Sequence, residues 1–330
     1  MTAIGPFAEL AVLTRSGIVE SAHLGSLVLV AGDGNLEVEL GDPDAAILPR
    51  STAKPVQAVA CLRAGVALEG AELAVVAASH TGRDEHVRVV RGILEHAGLD
   101  ESALCCPAEY PEDEQTLRRM LCAGEPPSAI RMNCSGKHAG MLLACRMNGW
   151  PTGSYLDPAH PLQRLVRETM AEFTGVEVEH IAVDGCGAPL FSTTVRGLAR
   201  AFRTLVLAEP GSAAESVASA MRRYPTMVAG PGHPNSTLMD SVPGALAKGG
   251  AEGVIAVAAP DGTSVATKIL DGSPRATTML ALAALAAVGV EVSAAGELAR
   301  VPVLGGGVPV GQIDIGADLA GALARVRDVR

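Results

Sequence analysis

The sequence has few aromatic residues and no excess of positive charge. Its 330 residues include one Trp, three Tyr and four Phe, and 26 Lys and Arg stand against 36 Asp and Glu, for a formal net charge of −10 at pH 7. Nucleic-acid binding needs cationic side chains for the phosphates, and single strands also need aromatic rings on which bases stack. We therefore expect no nucleic-acid partner.

Long apolar runs and a basic leader segment are also absent. Residues 1–15 contain no positively charged stretch followed by an apolar one, so we expect no signal peptide and a cytoplasmic location. The longest nearly uncharged apolar stretch, residues 276–290, is shorter than the roughly 20 residues that cross a bilayer. This stretch predicts a buried core helix and no membrane partner.

Disulfide bonds are a further expected absence. Seven cysteines, an odd number, in a chain without a secretion signal do not form the pattern of a disulfide framework. Cys134 and Cys186 differ from the other five because each lies in a short polar segment with glycine, at 133–138 and 184–187. Such segments build sites more often than cores, so these two cysteines are candidate metal ligands.

Strand patterns occur at both ends of the chain, and helix patterns dominate residues 51–246, most clearly at 87–97 and 161–173. In the first of these helices, Thr81 and Asp84 resemble a capping box. Glycine-rich turns at 32–35 and 260–263 predict two hairpins. The predicted strands are 9–14, 26–31, 36–40, 253–259, 264–270 and 310–315.

An antiparallel sheet built from both chain ends accounts most simply for this order. We therefore predict an α+β fold in which the terminal strands form one sheet and the middle of the chain forms a mainly helical lobe. Residues 1–330 are predicted to be a single catalytic unit with two lobes. The sheet lobe comprises about 1–50 plus 250–330, the helical lobe about 51–249, and the cleft between them is the expected site.

The first motif with chemical content is Ser-x-x-Lys at Ser51 and Lys54. Lysine activates a serine only when its amine is neutral, which burial or a neighbouring cation promotes by lowering the lysine pKa. Pro55 lacks an amide hydrogen and belongs in a first helical turn, so Ser51 should lie just before a helix, near free backbone donors that stabilise an oxyanion. The alternative is a capped helix with a solvated lysine.

Three more polar residues stand in informative settings. Lys268 lies in a predicted strand with apolar neighbours, so its amine either reaches solvent or faces the cleft with a depressed pKa. His80 is a candidate base or ligand, with a hydrogen-bonded structural histidine as the alternative. The guanidinium of Arg50 matches a substrate carboxylate, and a surface arginine is the ordinary alternative.

Zinc is the metal we consider for Cys134 and Cys186. Their spacing lacks the paired Cys-x-x-Cys of a zinc ribbon, so a third donor must come from nearby. Lys137 and His138 are both close along the chain, and chemistry favours His138 because a lysine must first lose its proton. Asp184 either accepts a hydrogen bond from a ligand or makes a turn.

Five segments together resemble the rhizobial-type, or class 3, L-asparaginase II family. They are PRSTAKP at 49–55, ASHTG at 78–82, NCSGKHAG at 133–140, DGCGAP at 184–189 and the segment 268–272. Their order and spacing extend over most of the chain. The resemblance implies hydrolysis of L-asparagine to L-aspartate and ammonia, on a fold similar to serine β-lactamases and serine-dependent glutaminases.

The same resemblance implies two Ser–Lys tandems beside a zinc ion, Ser51 with Lys54 and Ser79 with Lys268. We expect Ser51 to be the nucleophile because the helix start and Lys54 serve it together, and Ser79 is the alternative. We also expect a homodimer. The residues predicted to contact substrate are Arg50, His80, His138 and Asp184.

The resemblance also implies that the zinc ligands are Cys134, Lys137 and Cys186, with water completing the shell. Residue chemistry favours His138 as the third ligand, whereas the resemblance favours Lys137.

Three other functions compete with asparagine hydrolysis. A glutaminase differs by one substrate methylene, a distinction worth about 1–3 kcal/mol that these motifs do not show. A β-lactamase-like enzyme would carry Ser-Asp-Asn and Lys-Thr-Gly elements, which the sequence lacks. A non-catalytic zinc-binding module would leave the serines and lysines without a purpose.

Overall fold

The strands of the main sheet come from both ends of the chain, as the sequence predicts. The computed structural model describes residues 5–329, so the first four residues and the last of the predicted sheet lobe lie outside it. The strands are β1 (Ala8–Arg15), β2 (Ile18–Val30), β3 (Leu36–Leu40), β4 (Ile181–Val183), β5 (Pro189–Phe191), β6 (Leu246–Gly250), β7 (Val254–Ala258), β8 (Ser264–Ile269), β9 (Val301–Gly305) and β10 (Val308–Ile315).

The main sheet is antiparallel throughout and has the order β6-β7-β8-β2-β1-β10-β9, with β3 paired to β2. Its centre is β2, a strand of 13 residues whose first part pairs with β1. In its second part Leu27 lies between Leu40 of β3 and Thr267 of β8. The N-terminal strands therefore join the C-terminal strands into one sheet, which confirms the predicted α+β class.

Most helices lie between the two groups of strands. They are α1 (Lys54–Arg63), α2 (Gly70–Val76), α3 (Asp84–His96), α4 (Glu114–Ala123), α5 (Ser135–Met147), α6 (Pro161–Thr174), α7 (Val195–Val206), α8 (Ala213–Arg223), α9 (Pro225–Val228), α10 (Pro234–Ser241), α11 (Thr277–Ala287) and α12 (Ala317–Val329). Short 3-10 helices cover Arg50–Ala53, Glu101–Ala103, Ala129–Arg131, Thr152–Ser154 and Ser293–Ala299.

Several local predictions are confirmed. Helix α6 begins at Pro161 and ends at Gly175, whose φ of +68° is the left-handed conformation that glycine adopts most easily. Helix α11 packs against β7 and β8 with most of its side chains buried, as predicted for a core helix. Within residues 5–329, no helix is both long and apolar enough to span a bilayer.

Other local predictions are wrong. Thr81 and Asp84 do not form a capping box: the Thr81 hydroxyl has no partner among the described residues, and the side chain that caps the start of α3 is His86, whose Nδ1 accepts from the Arg83 amide at 3.2 Å. Strand β6 (Leu246–Gly250) is absent from the predicted strands. Its sequence LAKGG has low strand propensity and gives no strand signal. The division into two lobes stays a prediction.

Candidate active site

The start of α1 places Ser51 on the wall of a cavity. The chain makes a 3-10 turn over Arg50–Ala53, and α1 begins at Lys54 with Pro55 in its first turn, so the predicted position of Ser51 just before a helix is confirmed. Arg50 adopts φ +50°, a conformation that costs energy for a residue with a side chain. The Ser51 hydroxyl makes no hydrogen bond to another residue in the described part of the chain.

Strand β6 passes directly over this turn. A Cβ atom on Gly250 would lie 3.0 Å from the Ser51 amide nitrogen and 3.1 Å from the Pro49 carbonyl oxygen. These separations are too short for a side chain to fit without movement of the backbone. Glycine at this position therefore allows the turn and the strand to approach each other.

The hydroxyl of Ser79 lies between two lysine amines. Lys54 Nζ is 2.9 Å from Ser79 Oγ, and Lys248 Nζ of β6 is also 2.9 Å from it. Both lysines are 0% exposed. The Lys248 amine also contacts the Gly249 carbonyl oxygen at 2.7 Å, and the Lys54 amine contacts the Asn133 carbonyl oxygen at 3.5 Å.

Two buried ammonium groups on one oxygen atom repel each other strongly. Burial, and then the charge of Lys54, holds the pKa of Lys248 well below its usual range. A neutral Lys248 amine can accept the Ser79 hydroxyl proton while a charged Lys54 donates to the same oxygen. The arrangement therefore polarises the Ser79 hydroxyl from both sides.

The structure pairs Ser79 with Lys248 and not with the predicted Lys268. Lys268 lies on β8, where its amine donates to the Ile269 carbonyl oxygen. Burial lowers the pKa of Lys268, whereas nearby Glu252 and Asp271 act to raise it. The sequence did contain a signal for Lys248, which is a single lysine in an apolar stretch followed by two glycines.

A cluster of thiols and polar side chains lies beside Lys54. The sulfur atoms of Cys134 and Cys186 and a carboxylate oxygen of Asp184 all lie within 4.8 Å of one another, and Lys137 Nζ is 3.1 Å from Cys186 Sγ. A hydrogen bond from Cys186, together with the charges of Lys54 and Lys137, lowers the pKa of Cys134 well below its usual range. The same hydrogen bond raises the pKa of Cys186.

This donor set fits zinc, which prefers about four sulfur, nitrogen or oxygen ligands in a tetrahedron. Two sulfur atoms, the Lys137 amine and the Asp184 carboxylate converge on one buried place. His138 is not part of the group of ligand atoms that lie within 4.8 Å of one another, and its Nδ1 is 2.6 Å from the Tyr155 hydroxyl.

Arg50 and His80 both form hydrogen bonds with other residues of the protein. Arg50 Nε donates to Asp184 Oδ1 at 2.8 Å, so it orients a cluster residue. The buried ring of His80 contacts Ser135 Oγ at 2.8 Å through Nε2 and accepts from the Gly82 amide through Nδ1. Both ring nitrogens of His80 thus have partners within the protein, which favours the structural alternative, and its contact with substrate stays a prediction.

The serines open onto a cavity of about 690 Å³. Its wall includes backbone from β6 and residues of the loops before α4, α5 and α10, and it does not include Arg50, His80, His138 or Asp184. Polar side chains on this wall include those of Ser51, Ser79, Glu112, Asn133, His233 and Asn235.

A serine hydroxyl held by lysine amines at a cavity is typical of enzymes that transfer acyl groups. The sequence model of the family described as L-asparaginase II matches residues 11–315. The chain therefore belongs to the L-asparaginase II family, which confirms the resemblance. It is a hydrolytic amidase of the L-asparaginase type, and its substrate is a small-molecule amide.

Solved structures of low similarity were also found, whereas no curated protein matches the sequence. A β-lactamase from Mycobacterium bovis is 16% identical, with 79% of this chain and 94% of that chain covered and a TM-score of 0.45. A Bacillus glutaminase solved in 4.3 M NaCl is 13% identical, with 78% and 88% covered and a TM-score of 0.35. TM-scores below 0.5 carry no argument about this chain.

The two lysines make a matched pair of variants. Lys248→Met should lower kcat by about a thousandfold, because Ser79 loses its uncharged partner. Lys268→Met should keep kcat within about threefold of wild type, since its amine contacts a backbone carbonyl away from both serines. Steady-state ammonia release measures both. A large loss in Lys268→Met with Lys248→Met nearly unaffected would contradict the structural assignment.

Proposed function

We propose that this enzyme hydrolyses the side-chain amide of L-asparagine to L-aspartate and ammonia, with an acyl-enzyme intermediate on a serine. The observation that supports the proposal most is the Ser79 hydroxyl between Lys54 and Lys248, on a cavity that Ser51 also lines. Membership of the family supports the amide substrate.

In the proposed reaction Ser51 attacks the amide carbon. Its oxygen is available because it makes no hydrogen bond within residues 5–329, whereas Ser79 is held between two amines. Lys54 follows Ser51 by one helical turn and accepts its proton. For this Lys54 must be neutral, and Ser79 can make it so by taking a proton from Lys54 while passing its own to Lys248.

Collapse of the tetrahedral intermediate breaks the carbon–nitrogen bond. The departing nitrogen takes a proton that Lys248 returns through the Ser79 hydroxyl, and ammonia leaves. Lys54 again passes its proton through Ser79 to Lys248, so that it can accept a proton from the water that attacks the Ser51 ester. Lys54 then returns this proton to the Ser51 oxygen as the ester bond breaks and L-aspartate is released. In this scheme Ser51 forms the covalent bond and Ser79 moves protons.

Zinc belongs to the proposal as a resident metal held by Cys134 and Cys186, with Lys137 as the third ligand and Asp184 as neighbour or fourth ligand. When bound, zinc supplies a fixed positive charge beside the lysines, which favours neutral amines. Arg50 holds Asp184 in place. A homodimer remains part of the proposal as well.

Purified, zinc-supplemented enzyme should release ammonia from L-asparagine faster than from L-glutamine, and should release no product from a β-lactam. Ser51→Ala and Ser79→Ala should each lower kcat by about a thousandfold, and the double variant should be hardly worse because the two act as a unit. Ser216→Ala on the surface of α8 is the control and should keep full activity.

No ammonia from L-asparagine, or a clear preference for L-glutamine, would refute the proposed substrate. Losses that simply multiply in the double variant would show instead that the two serines perform independent tasks.

Metal content can be tested separately from activity. Untagged protein should contain about one zinc per chain, and a variant with both Cys134→Ala and Cys186→Ala should contain none. Cys122→Ala, which removes an exposed thiol, is the matched control and should keep its zinc. Occupancy should decline as pH falls because both thiols must lose their protons to bind metal. Unchanged zinc in the double variant, measured by elemental analysis, would refute the site.

A further inference from the structure

His233 offers one hydrogen-bond donor to the cavity. Its Nδ1 accepts from the Asn235 amide at 3.2 Å, so the ring proton is on Nε2. Burial lowers the pKa of His233 to about 4, which keeps the ring neutral near pH 7. The Nε2–H makes no hydrogen bond within residues 5–329, and the ring lines the cavity. It is a neutral donor without a protein partner.

Asn235 offers a second donor of the same kind. Its Oδ1 accepts from the Gly249 amide at 3.0 Å, which leaves the side-chain NH2 as the free end. The residue is 4% exposed and lines the cavity, and its Nδ2 has no partner in the described part of the chain. Both acceptor atoms of this pair, His233 Nδ1 and Asn235 Oδ1, are already occupied by backbone amides.

Glu112 offers the opposite character on the same cavity wall. Its Oε1 accepts from Asn133 Nδ2 at 2.9 Å, and the carboxylate forms no ion pair with any described residue. A carboxylate with one free oxygen takes a cation or another donor.

The substrate of the proposed function carries an α-carboxylate, which accepts hydrogen bonds, and an α-ammonium, which donates them. The residue expected to bind the carboxylate, Arg50, is engaged by Asp184 and does not line the cavity. A site that offers only hydrogen-bond donors binds the substrate carboxylate and rejects its ammonium group. The free carboxylate oxygen of Glu112 binds the ammonium group.

We propose that His233 and Asn235 bind the α-carboxylate of the substrate and that Glu112 binds its α-ammonium, so that the cavity selects free amino-acid zwitterions. The assignment rests on the proposed amide hydrolysis. It makes these three residues determinants of specificity, and it leaves the chemistry to the serines and lysines.

Each residue has a variant that keeps its structural hydrogen bond. Asn235→Asp keeps an acceptor for the Gly249 amide and replaces the donor by a second acceptor. His233→Asn keeps a good helix cap and is too short to replace the Nε2 donor. Glu112→Gln keeps an acceptor for Asn133 and removes the charge. Asn35→Asp, in an exposed hairpin turn, is the control.

Three substrates test recognition of the α-carboxylate and the α-ammonium group separately. L-asparagine carries both groups, its methyl ester lacks the free carboxylate, and succinamate lacks the ammonium group. Asn235→Asp and His233→Asn should lower kcat/KM for L-asparagine and succinamate about ten- to a hundredfold and barely affect the methyl ester. Glu112→Gln should lower kcat/KM for L-asparagine and the ester and spare succinamate. Asn35→Asp should match wild type.

Equal losses on all three substrates would overturn the assignment, because a merely structural role does not depend on the substrate. Calorimetric binding of L-aspartate separates this inference from the proposed function. Suppose that the wild type turns over no amide but binds L-aspartate. Loss of L-aspartate affinity in Asn235→Asp, with wild-type affinity in Asn35→Asp, still supports the carboxylate site. Wild-type affinity in Asn235→Asp, or no binding by wild type, refutes it.

Discussion

Two lysine amines share one buried serine oxygen, and the remainder of the site follows from that electrostatic conflict. Lys54 and Lys248 both lie 2.9 Å from Ser79 Oγ and both are fully buried. Carrying two positive charges at this separation without water is costly, so the pair favours a state with one proton fewer. A neutral amine is what a serine nucleophile needs at neutral pH. The repulsion between the lysines therefore favours an unprotonated amine that can accept a proton near neutral pH.

The fold maintains this arrangement through close contacts of the backbone. Strand β6 carries Lys248 and runs against the turn that carries Ser51, a close contact that glycine at position 250 favours. Asn235 fixes the strand through the Gly249 amide. The thiol cluster is part of the same electrostatic system, because Lys54 and Lys137 both act to lower the pKa of Cys134. Binding of the proposed metal at the cysteines would therefore be coupled to the protonation of the lysines.

Sequence reasoning predicted the residues whose local pattern is distinctive. Pro55 located the helix start and with it Ser51, and the glycine-flanked cysteines predicted a cluster that the structure brings together. Lys248 was missed because Ala and Gly give β6 no strand pattern, and Lys268 was chosen because its strand is easy to recognise. Arg50 and His80 were placed near substrate, yet their partners Asp184 and Ser135 are distant in sequence and appear only in the fold.

Burial, and then the charge of the adjacent Lys54, holds the pKa of Lys248 well below its usual range. NMR titration of ¹³C-labelled lysine side chains, with the Lys248 signal assigned by its loss in Lys248→Met, tests this directly. In the wild type the signal should titrate well below the ordinary lysine value near 10.4. In Lys54→Met the pKa of Lys248 should rise because the repelling charge of Lys54 is removed. It should still lie below 10.4 because Lys248 remains buried. A Lys248 that titrates near 10.4 in the wild type, or is unmoved by Lys54→Met, would contradict the account.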